Sequence, residues 1–255
     1  RGEGPAVDEV AALRAWTRVM QTRHGKRIQS HIDAFLTRVE EGKGDDEGGD
    51  SSADSGGEAE EVPLSERVKD MVAACTNYLL EHCPEFKDAP DEQLAYARDK
   101  LETTIMAALG QRAYESTEDP EADAALRTRL AALQWLTLDD LQVPESVRNE
   151  TVMALAQNEL KRVARSTTPS AKLDNIIKSS SIIFRALNMS RDSDTRPGAD
   201  DFLPCWIATV LYAQPQRLHS DMLYIEAFRD ENSMMSAAGY MLVNLRSAVS
   251  FLENL

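Results

Sequence analysis

The sequence predicts an all-α protein, and three observations lead to this prediction. Apolar residues recur at three- and four-residue spacing along most of the 255-residue chain, as they do on one face of a helix. Alternating β-branched runs, which are typical of half-buried strands, are nearly absent. The Asn-Gly and Asp-Gly pairs that mark tight hairpins are also missing. We therefore expect helices that pack in layers or bundles.

The predicted helices follow one another with polar or proline-containing breaks between them. Residues 7–39 are predicted to form one amphipathic helix or two. The polar segment STEDPEAD, which contains Pro120, separates two later helices. Further helices are expected at residues 64–82, 91–114, 121–136, 145–164, 170–187, 201–213 and 237–253.

Composition divides the chain into four predicted segments. Residues 40–61 contain ten acids, one Lys and no large apolar residue, so they cannot bury enough surface to offset the entropy of ordering. We predict a disordered acidic linker there. The four segments are an N-terminal amphipathic helical segment at 1–41, the linker at 42–62, a helical bundle at 63–140 and a C-terminal helical core at 141–255.

The charge distribution argues against several classes of partner. The formal net charge is −15, most of which lies in the acidic stretch, so no basic face is expected for nucleic acid or for simple adhesion to anionic lipid. No apolar run approaches the roughly 20 residues that span a bilayer, so direct membrane insertion is not expected. The three cysteines, Cys75, Cys83 and Cys205, have no metal-ligand or redox spacing, which predicts a reducing, cytoplasmic environment.

Motifs for covalent catalysis or cofactor binding are also missing from the sequence. Neither glycine-rich phosphate loop occurs, and no Ser lies in a nucleophile elbow. His24 and His31 lie seven residues apart and can share a helix face, but no Cys or acid completes a metal set, so we expect solvent-exposed histidines. Cys205 lies in an apolar run that indicates core packing. We predict no metal site, no cofactor and no covalent chemistry.

The segment GADDFLP, which begins at Gly198, allows two interpretations. Pro204 is predicted in the first turn of a helix, where its missing amide would have no partner anyway. Asp200 or Asp201 would then cap this helix at the positive end of its dipole. The alternative is that this segment presents a carboxylate to a partner.

Several motifs in the last third resemble a known family. They are GADDFLP, LHSDMLYI and GYMLVNLRSAVSFLENL, and they resemble the core of the vacuolar-protein-sorting-nine (VPS-nine) domain of Rab guanine nucleotide exchange factors. Upstream, RVARSTTPSAKLDNIIKSSSIIFRALN resembles the P-x-x-K-L helix of the family, and ARDKLETTIMAAL resembles its first globular helix. The likeness extends from about residue 94 to residue 255.

The resemblance implies a layered helical exchange domain preceded by a helical bundle. It implies that Asp200 is the catalytic carboxylate, which projects to the nucleotide site of a GTPase and engages its phosphate-loop Lys. Val243 departs from the family, because many members have Thr at this position. The GTPase-binding residues implied by the resemblance are Asp201, Phe202, Pro204, Tyr240, Val243 and Asn244.

The implied function is guanine nucleotide exchange on endosomal Rab GTPases of the Rab-five class. Such a protein binds the GDP-bound and nucleotide-free GTPase, and it lies in the cytoplasm and at the periphery of early endosomes, where an unidentified partner recruits it. Two alternatives stay open: a non-catalytic Rab-binding scaffold, suggested by Val243, and a helical adaptor that binds no GTPase.

Overall fold

The computed structural model describes residues 9–42, 62–189, 198–230 and 234–255. The regular structure of these ranges is helical and contains no strand, which confirms the all-α prediction. None of the helices within them is both long and apolar enough to cross a membrane. Most of the predicted acidic linker, residues 43–61, lies outside the described residues.

The chain divides into two compact units, Arg1–Ala113 and Tyr114–Leu255. The last predicted boundary lies after residue 140 instead. The division lies earlier because the helix at Pro120–Ala132 packs against helices near the C-terminus. The four predicted segments stay a prediction.

In the first unit, the helix Asp91–Leu109 packs against the first three helices. Its core includes Phe35, Leu79 and Ile105, which are almost completely buried. The helices are α1 (Glu9–Met20), α2 (Arg23–Glu40), α3 (Leu64–His82), α4 (Pro84–Lys87) and α5 (Asp91–Leu109), and α6 (Gln111–Glu115) crosses the boundary between the units.

The segment 7–39, predicted as one helix or two, contains two helices, Glu9–Met20 and Arg23–Glu40, joined by a short turn at residues 21–22. The Thr22 hydroxyl accepts a hydrogen bond from the His24 amide at 3.1 Å and so caps α2. Gly25 lets the two helices approach closely, because a Cβ at this position would lie 2.4 Å from the Met20 Cα. The predicted helix 91–114 is also broken, at Gly110, whose φ of 55° favours glycine.

The second unit contains the remaining helices of the described residues. Short 3₁₀ turns at Glu145–Val147 and Val163–Arg165 flank one of them, so the predicted helix 145–164 is α-helical only in its middle. The helices are α7 (Pro120–Ala132), α8 (Glu150–Arg162), α9 (Pro169–Met189), α10 (Ala199–Ala213), α11 (Leu218–Phe228) and α12 (Ala237–Asn254).

The helix α10 is the core helix of this unit. It contacts α8, α9 and α12, and its residues from Cys205 to Leu211 are all buried. Because it is apolar around most of its circumference, α10 is held from several sides. The first turn of α10 is therefore attached to a rigid element.

The helix α11 was not among the predicted helices. Most of its residues are buried, including Met222, Tyr224 and Ile225. A helix that is buried on nearly all sides lacks the polar face from which an amphipathic period is recognised. For this reason α11 could not be predicted from the apolar spacing.

Candidate functional site

The two acids at the start of α10 have different roles in the structure. Gly198 is the N-cap residue of α10, and its amide donates to Asp201 Oδ2 at 3.0 Å. The Asp200 side chain is exposed and makes no hydrogen bond or ion pair with the described residues. Asp201 is therefore the capping acid, whereas the carboxylate of Asp200 is available to a partner.

Pro204 lies two residues deeper in the helix than predicted, in the second turn instead of the first. The helix begins at Ala199, two residues earlier than predicted, so Pro204 is its sixth residue. Because proline has no amide hydrogen, the Asp200 carbonyl oxygen lacks the donor that a regular helix supplies four residues later. The first turn of α10 thus depends on the Asp201 cap and on side-chain packing.

Phe202 supplies much of that packing. Its ring stacks on Phe184 with the centroids 4.3 Å apart, and it lies 5.6 Å from the ring of Trp206. Only 1% of Phe202 is exposed, so a partner has no access to this ring in this conformation. Phe202 therefore positions the first turn of α10. Its role in GTPase binding stays a prediction, and that role would be indirect.

Asp200 lies on the same face of α10 as three residues that line a groove, Leu203, Pro204 and Ile207. Residues 200, 203, 204 and 207 share that face, because positions three, four and seven apart lie on the same side of a helix. The groove has a volume of about 360 Å³. It is lined by Leu136, Asp140, Leu141, Gln142, Leu203, Pro204, Ile207, Phe251 and Leu255.

A second, larger groove of about 640 Å³ follows α12. Val243 lines it and is 61% exposed, and Tyr240, one turn earlier on the same helix, is half exposed. The Asn244 amide donates to the Tyr240 carbonyl oxygen at 2.7 Å, so part of its hydrogen-bonding capacity is used within α12. Both grooves share Leu203, Phe251 and Leu255.

These shared apolar residues were not among the predicted site residues. Leu203 lies inside the motif but was not singled out, and Phe251 is 44% exposed although it is aromatic. Exposed large apolar side chains at helical spacing are a usable signal for a docking surface. That signal appears only when the exposure of each side chain is known.

Gly239, near the start of α12, lies against the backbone of Met234, which precedes the helix. A Cβ at Gly239 would lie 1.7 Å from the carbonyl oxygen of Met234 and 2.8 Å from its Cα. These are backbone atoms, so the contact cannot be relieved by a rotamer change. The glycine of the GYMLVN segment is therefore required by close packing beside Tyr240.

We expect Gly239→Ala to lower the free energy of unfolding by about 1–3 kcal/mol, because the added methyl group overpacks the start of α12. Thermal unfolding should show a melting temperature several degrees lower. Gly198→Ser is the control, because a Cβ there meets no atom closer than 3.9 Å and Ser is a favoured N-cap residue. Equal melting temperatures for Gly239→Ala and the unmodified chain would contradict the packing argument.

A buried ion pair joins two of the motifs from the sequence analysis. The Lys172 ammonium lies 2.7 Å from Asp221 Oδ1, both side chains are 1% exposed, and the ammonium also donates to the Val163 carbonyl oxygen at 2.9 Å. The Tyr114 hydroxyl donates to the same carboxylate oxygen at 3.0 Å. Tyr224 also lies near the pair, with its ring centre 5.9 Å from the ammonium.

Burial changes the acidity of the groups in this cluster. It lowers the pKa of Lys172, and the adjacent Asp221 carboxylate opposes that shift. Burial raises the pKa of Tyr114, and the carboxylate raises it further. The phenol therefore stays protonated and donates a hydrogen bond to Asp221. The P-x-x-K-L and LHSDMLYI segments therefore contribute a structural pair, which the sequence analysis did not predict.

A second buried carboxylate caps α11 from a neighbouring helix. Asp123 Oδ1 accepts the backbone amides of His219 at 2.9 Å and Ser220 at 3.2 Å. No side chain of the preceding residue, Arg217, caps this helix. A carboxylate from α7 thus satisfies donors that the helix cannot satisfy itself.

The cysteines are buried and free. Burial raises the pKa of Cys205 to about 12 and that of Cys75 to about 11, so neither is a thiolate at neutral pH. This agrees with core packing at Cys205. In the parts of the chain that the structure describes, no group of three or more His, Cys, Asp or Glu residues could hold a metal ion.

Comparison with known proteins gives a consistent set of relatives. The family described as "Vacuolar sorting protein 9 (VPS9) domain" matches residues 153–255. Vacuolar protein sorting-associated protein 9A of Arabidopsis thaliana is 34% identical over 176 residues, which are 68% of this chain and 34% of that protein. The Rab5 GDP/GTP exchange factor of Homo sapiens is 34% identical over 172 residues, which are 65% of this chain and 35% of that protein.

A more distant relative is the Xenopus laevis GTPase-activating protein and VPS9 domain-containing protein 1, which is 27% identical over 175 residues. These residues make up 67% of this chain and 12% of that protein. The chain spans about a third of the length of the first two relatives. The matched part contains both grooves along α10 and α12 except for residues 136–142.

Proposed function

Since residues 153–255 belong to the vacuolar sorting protein 9 (VPS9) domain family, we propose that this chain is a guanine nucleotide exchange factor for Rab GTPases. One of its relatives is a Rab5 GDP/GTP exchange factor, which supports a partner of the Rab5 class. The chain would act as a regulator of a GTPase, without covalent chemistry of its own. Its place of action would be the cytoplasmic periphery of early endosomes.

The observation that carries this proposal is the exposed carboxylate of Asp200, which has no hydrogen-bond or ion-pair partner among the residues that the structure describes. Asp201 caps the helix, so Asp200 is not needed for this purpose. The buried stack of Phe202 holds the turn that presents Asp200. A carboxylate that is free of intramolecular bonds and carried by a rigid helix is suited to act on a partner.

The proposed mechanism is the differential stabilisation of the nucleotide-free GTPase. Small GTPases hold their nucleotide chiefly through a phosphate-loop Lys and Mg²⁺, which bind the phosphate oxygens. Asp200 would offer that Lys a substitute anion and would disfavour the phosphates and Mg²⁺. Because this contact is made only when the nucleotide leaves, it shifts the population towards the empty state.

The two grooves would receive the switch regions of the GTPase. Leu203, Pro204 and Ile207 give the α10 side an apolar lining on the helix face that also carries Asp200, and Val243 lines the groove on the α12 side. An apolar surface with a charged group at its edge matches the usual anatomy of an interface. Tyr240 and Asn244 would lie at its margin.

Release of fluorescently labelled GDP from Rab5-class GTPases tests the proposal. Addition of the chain should accelerate release in proportion to its concentration. A stable complex with the nucleotide-free GTPase, without faster release, would instead support the scaffold that Val243 suggests. Failure to bind the GTPase in any nucleotide state would leave only the helical adaptor.

We expect Val243→Thr to raise the exchange rate about twofold to tenfold, because a hydroxyl in the groove can restore a polar contact worth about 0.5–1.5 kcal/mol. Stability should change by less than about 0.5 kcal/mol, since the side chain is 61% exposed. GDP release and thermal unfolding measure the two effects.

Val249→Thr is the matched control on the same helix. Val249 is 1% exposed, so a hydroxyl there is buried and the variant should lose stability. If Val243→Thr lost stability as Val249→Thr does, with an unchanged rate per molecule, the assignment of position 243 to the interface would be wrong.

A further inference from the structure

A cluster of basic and aromatic side chains lies in the first unit, apart from the grooves of the second. It surrounds Tyr78 of α3, whose ring lies 4.5 Å from the ring of His82, 5.9 Å from that of His24 and 6.4 Å from that of His31. The guanidinium of Arg27 lies 5.3 Å above the Tyr78 ring. Three of the four histidines in the chain are therefore gathered around one tyrosine.

This cluster lines a cavity of about 360 Å³. It is lined by Arg23, His24, Arg27, Tyr78 and His82. All the lining side chains are polar or carry a polar tip, and the start of α2 and the end of α3 supply them. The volume lies in the range of natural small-ligand sites.

The charges of the cavity select an anion. Arg23 and Arg27 are permanently charged, and the first turn of α2 contains no acidic residue. The cavity also lies at the positive end of the α2 dipole. The Glu81 carboxylate lies 3.8 Å from His82 Nε2 at the edge of the cluster, but the cavity lining itself contains two arginines and no acid, so the lining carries a positive charge.

Three contacts connect the side chains of the cluster. His24 Nδ1 and the Tyr78 hydroxyl are hydrogen-bonded at 2.9 Å. The Arg23 Nε donates to His24 Nε2 at 3.5 Å. Arg27 is held over the Tyr78 ring by a cation–π contact. The cation–π contact orients the Arg27 guanidinium, which lowers the entropy lost on binding, whereas the exposed Arg23 makes only the long contact at 3.5 Å.

We propose that this cavity binds a phosphomonoester group. A phosphomonoester is close to a dianion at neutral pH, which matches two guanidiniums, and its oxygens accept the paired N–H donors of arginine. A metal ion is disfavoured because the two arginines would repel it. Such a group occurs on free sugar phosphates and on the head group of a phosphorylated inositol lipid. The site lies within one compact unit and does not depend on exchange activity.

Histidine ring NMR of the full chain, with inositol monophosphate as the probe, tests this proposal. The ring signals of His24 and His82 should shift saturably, and the ring of His219, which lies in the other unit, should not. Neutral inositol should have no effect. Absence of a saturable shift with inositol monophosphate would overturn the proposal.

A pair of double variants separates a specific site from general charge. Arg23→Ala/Arg27→Ala should weaken binding at least about tenfold, because it removes two charge-assisted contacts. Arg14→Ala/Arg18→Ala removes two exposed arginines with the same four-residue spacing from α1 and should bind as the unmodified chain does. Equal weakening in both double variants would mean that only net charge matters, and the cavity would not be the site.

Vesicle flotation identifies the source of the phosphate. Vesicles of phosphatidylcholine with and without a phosphatidylinositol monophosphate are compared, with the same two double variants. Retention that needs both the phosphorylated lipid and the pair Arg23 and Arg27 supports the site with a lipid head group as its ligand. Binding of soluble inositol monophosphate without vesicle retention supports the site with a free phosphate as its ligand.

Discussion

Asp200→Asn is expected to fold normally and to stimulate GDP release at least about a hundredfold less than the unmodified chain. Asn keeps the size and shape of the side chain but carries no charge. If Asp200 pairs with the phosphate-loop Lys of the empty GTPase, its loss leaves that cation poorly compensated in a closed site. Breaking such a pair costs roughly 3–5 kcal/mol, and each 1.36 kcal/mol is about a tenfold change in rate.

Stability should hardly change in this variant. The Asp200 side chain is exposed and has no intramolecular partner among the described residues, and substitutions at such positions are usually worth less than about 0.5 kcal/mol. Thermal unfolding therefore separates a loss of exchange from a loss of folding. Weak binding of the GTPase can persist through the grooves.

Asp201→Asn is the matched control, one residue further along the same turn. Asn can accept the Gly198 amide as Asp201 does and caps a helix about as well, so this variant should keep most of its exchange activity. Asp201→Ala removes the cap and should cost about 1 kcal/mol of stability. Exchange by Asp200→Asn at the unmodified rate would show that the Asp200 carboxylate is not the working group.

Lys172→Met should lower the free energy of unfolding of the second unit by about 3–5 kcal/mol. Met fills a volume similar to that of Lys, so the loss arises from the charge and not from a cavity. The Asp221 carboxylate would remain buried with the Tyr114 hydroxyl as a donor, and it would lose the ammonium at 2.7 Å. We expect the melting temperature to fall by about 10 °C or more.

Two further variants test the cause of that loss. Lys178→Met removes an exposed Lys from the same helix and should change stability by less than about 0.5 kcal/mol. The double variant Lys172→Met/Asp221→Leu removes both charges and should be less destabilised than the sum of its single variants. Additive effects, or a melting temperature that is unchanged in Lys172→Met, would show that the pair does not hold α9 and α11 together.

The sequence by itself determined the helical class and most of the helices. This information is local, because the apolar spacing along α2, α3 and α9 and the polar breaks between helices are properties of neighbouring residues. The order of motifs around Asp200, Tyr240 and Asn244 was also readable from the sequence, since each motif is a short continuous segment.

Only the tertiary structure decided which groups act together. It showed that Asp201 caps α10 and that Asp200 has no hydrogen-bond partner among the described residues. From the sequence alone, either acid could have been the cap. It showed that α11 is a helix, which lacks a polar face because it is buried nearly all round. It also paired Lys172 with Asp221, which are 49 residues apart, because packing sets such distant contacts and no local pattern records them.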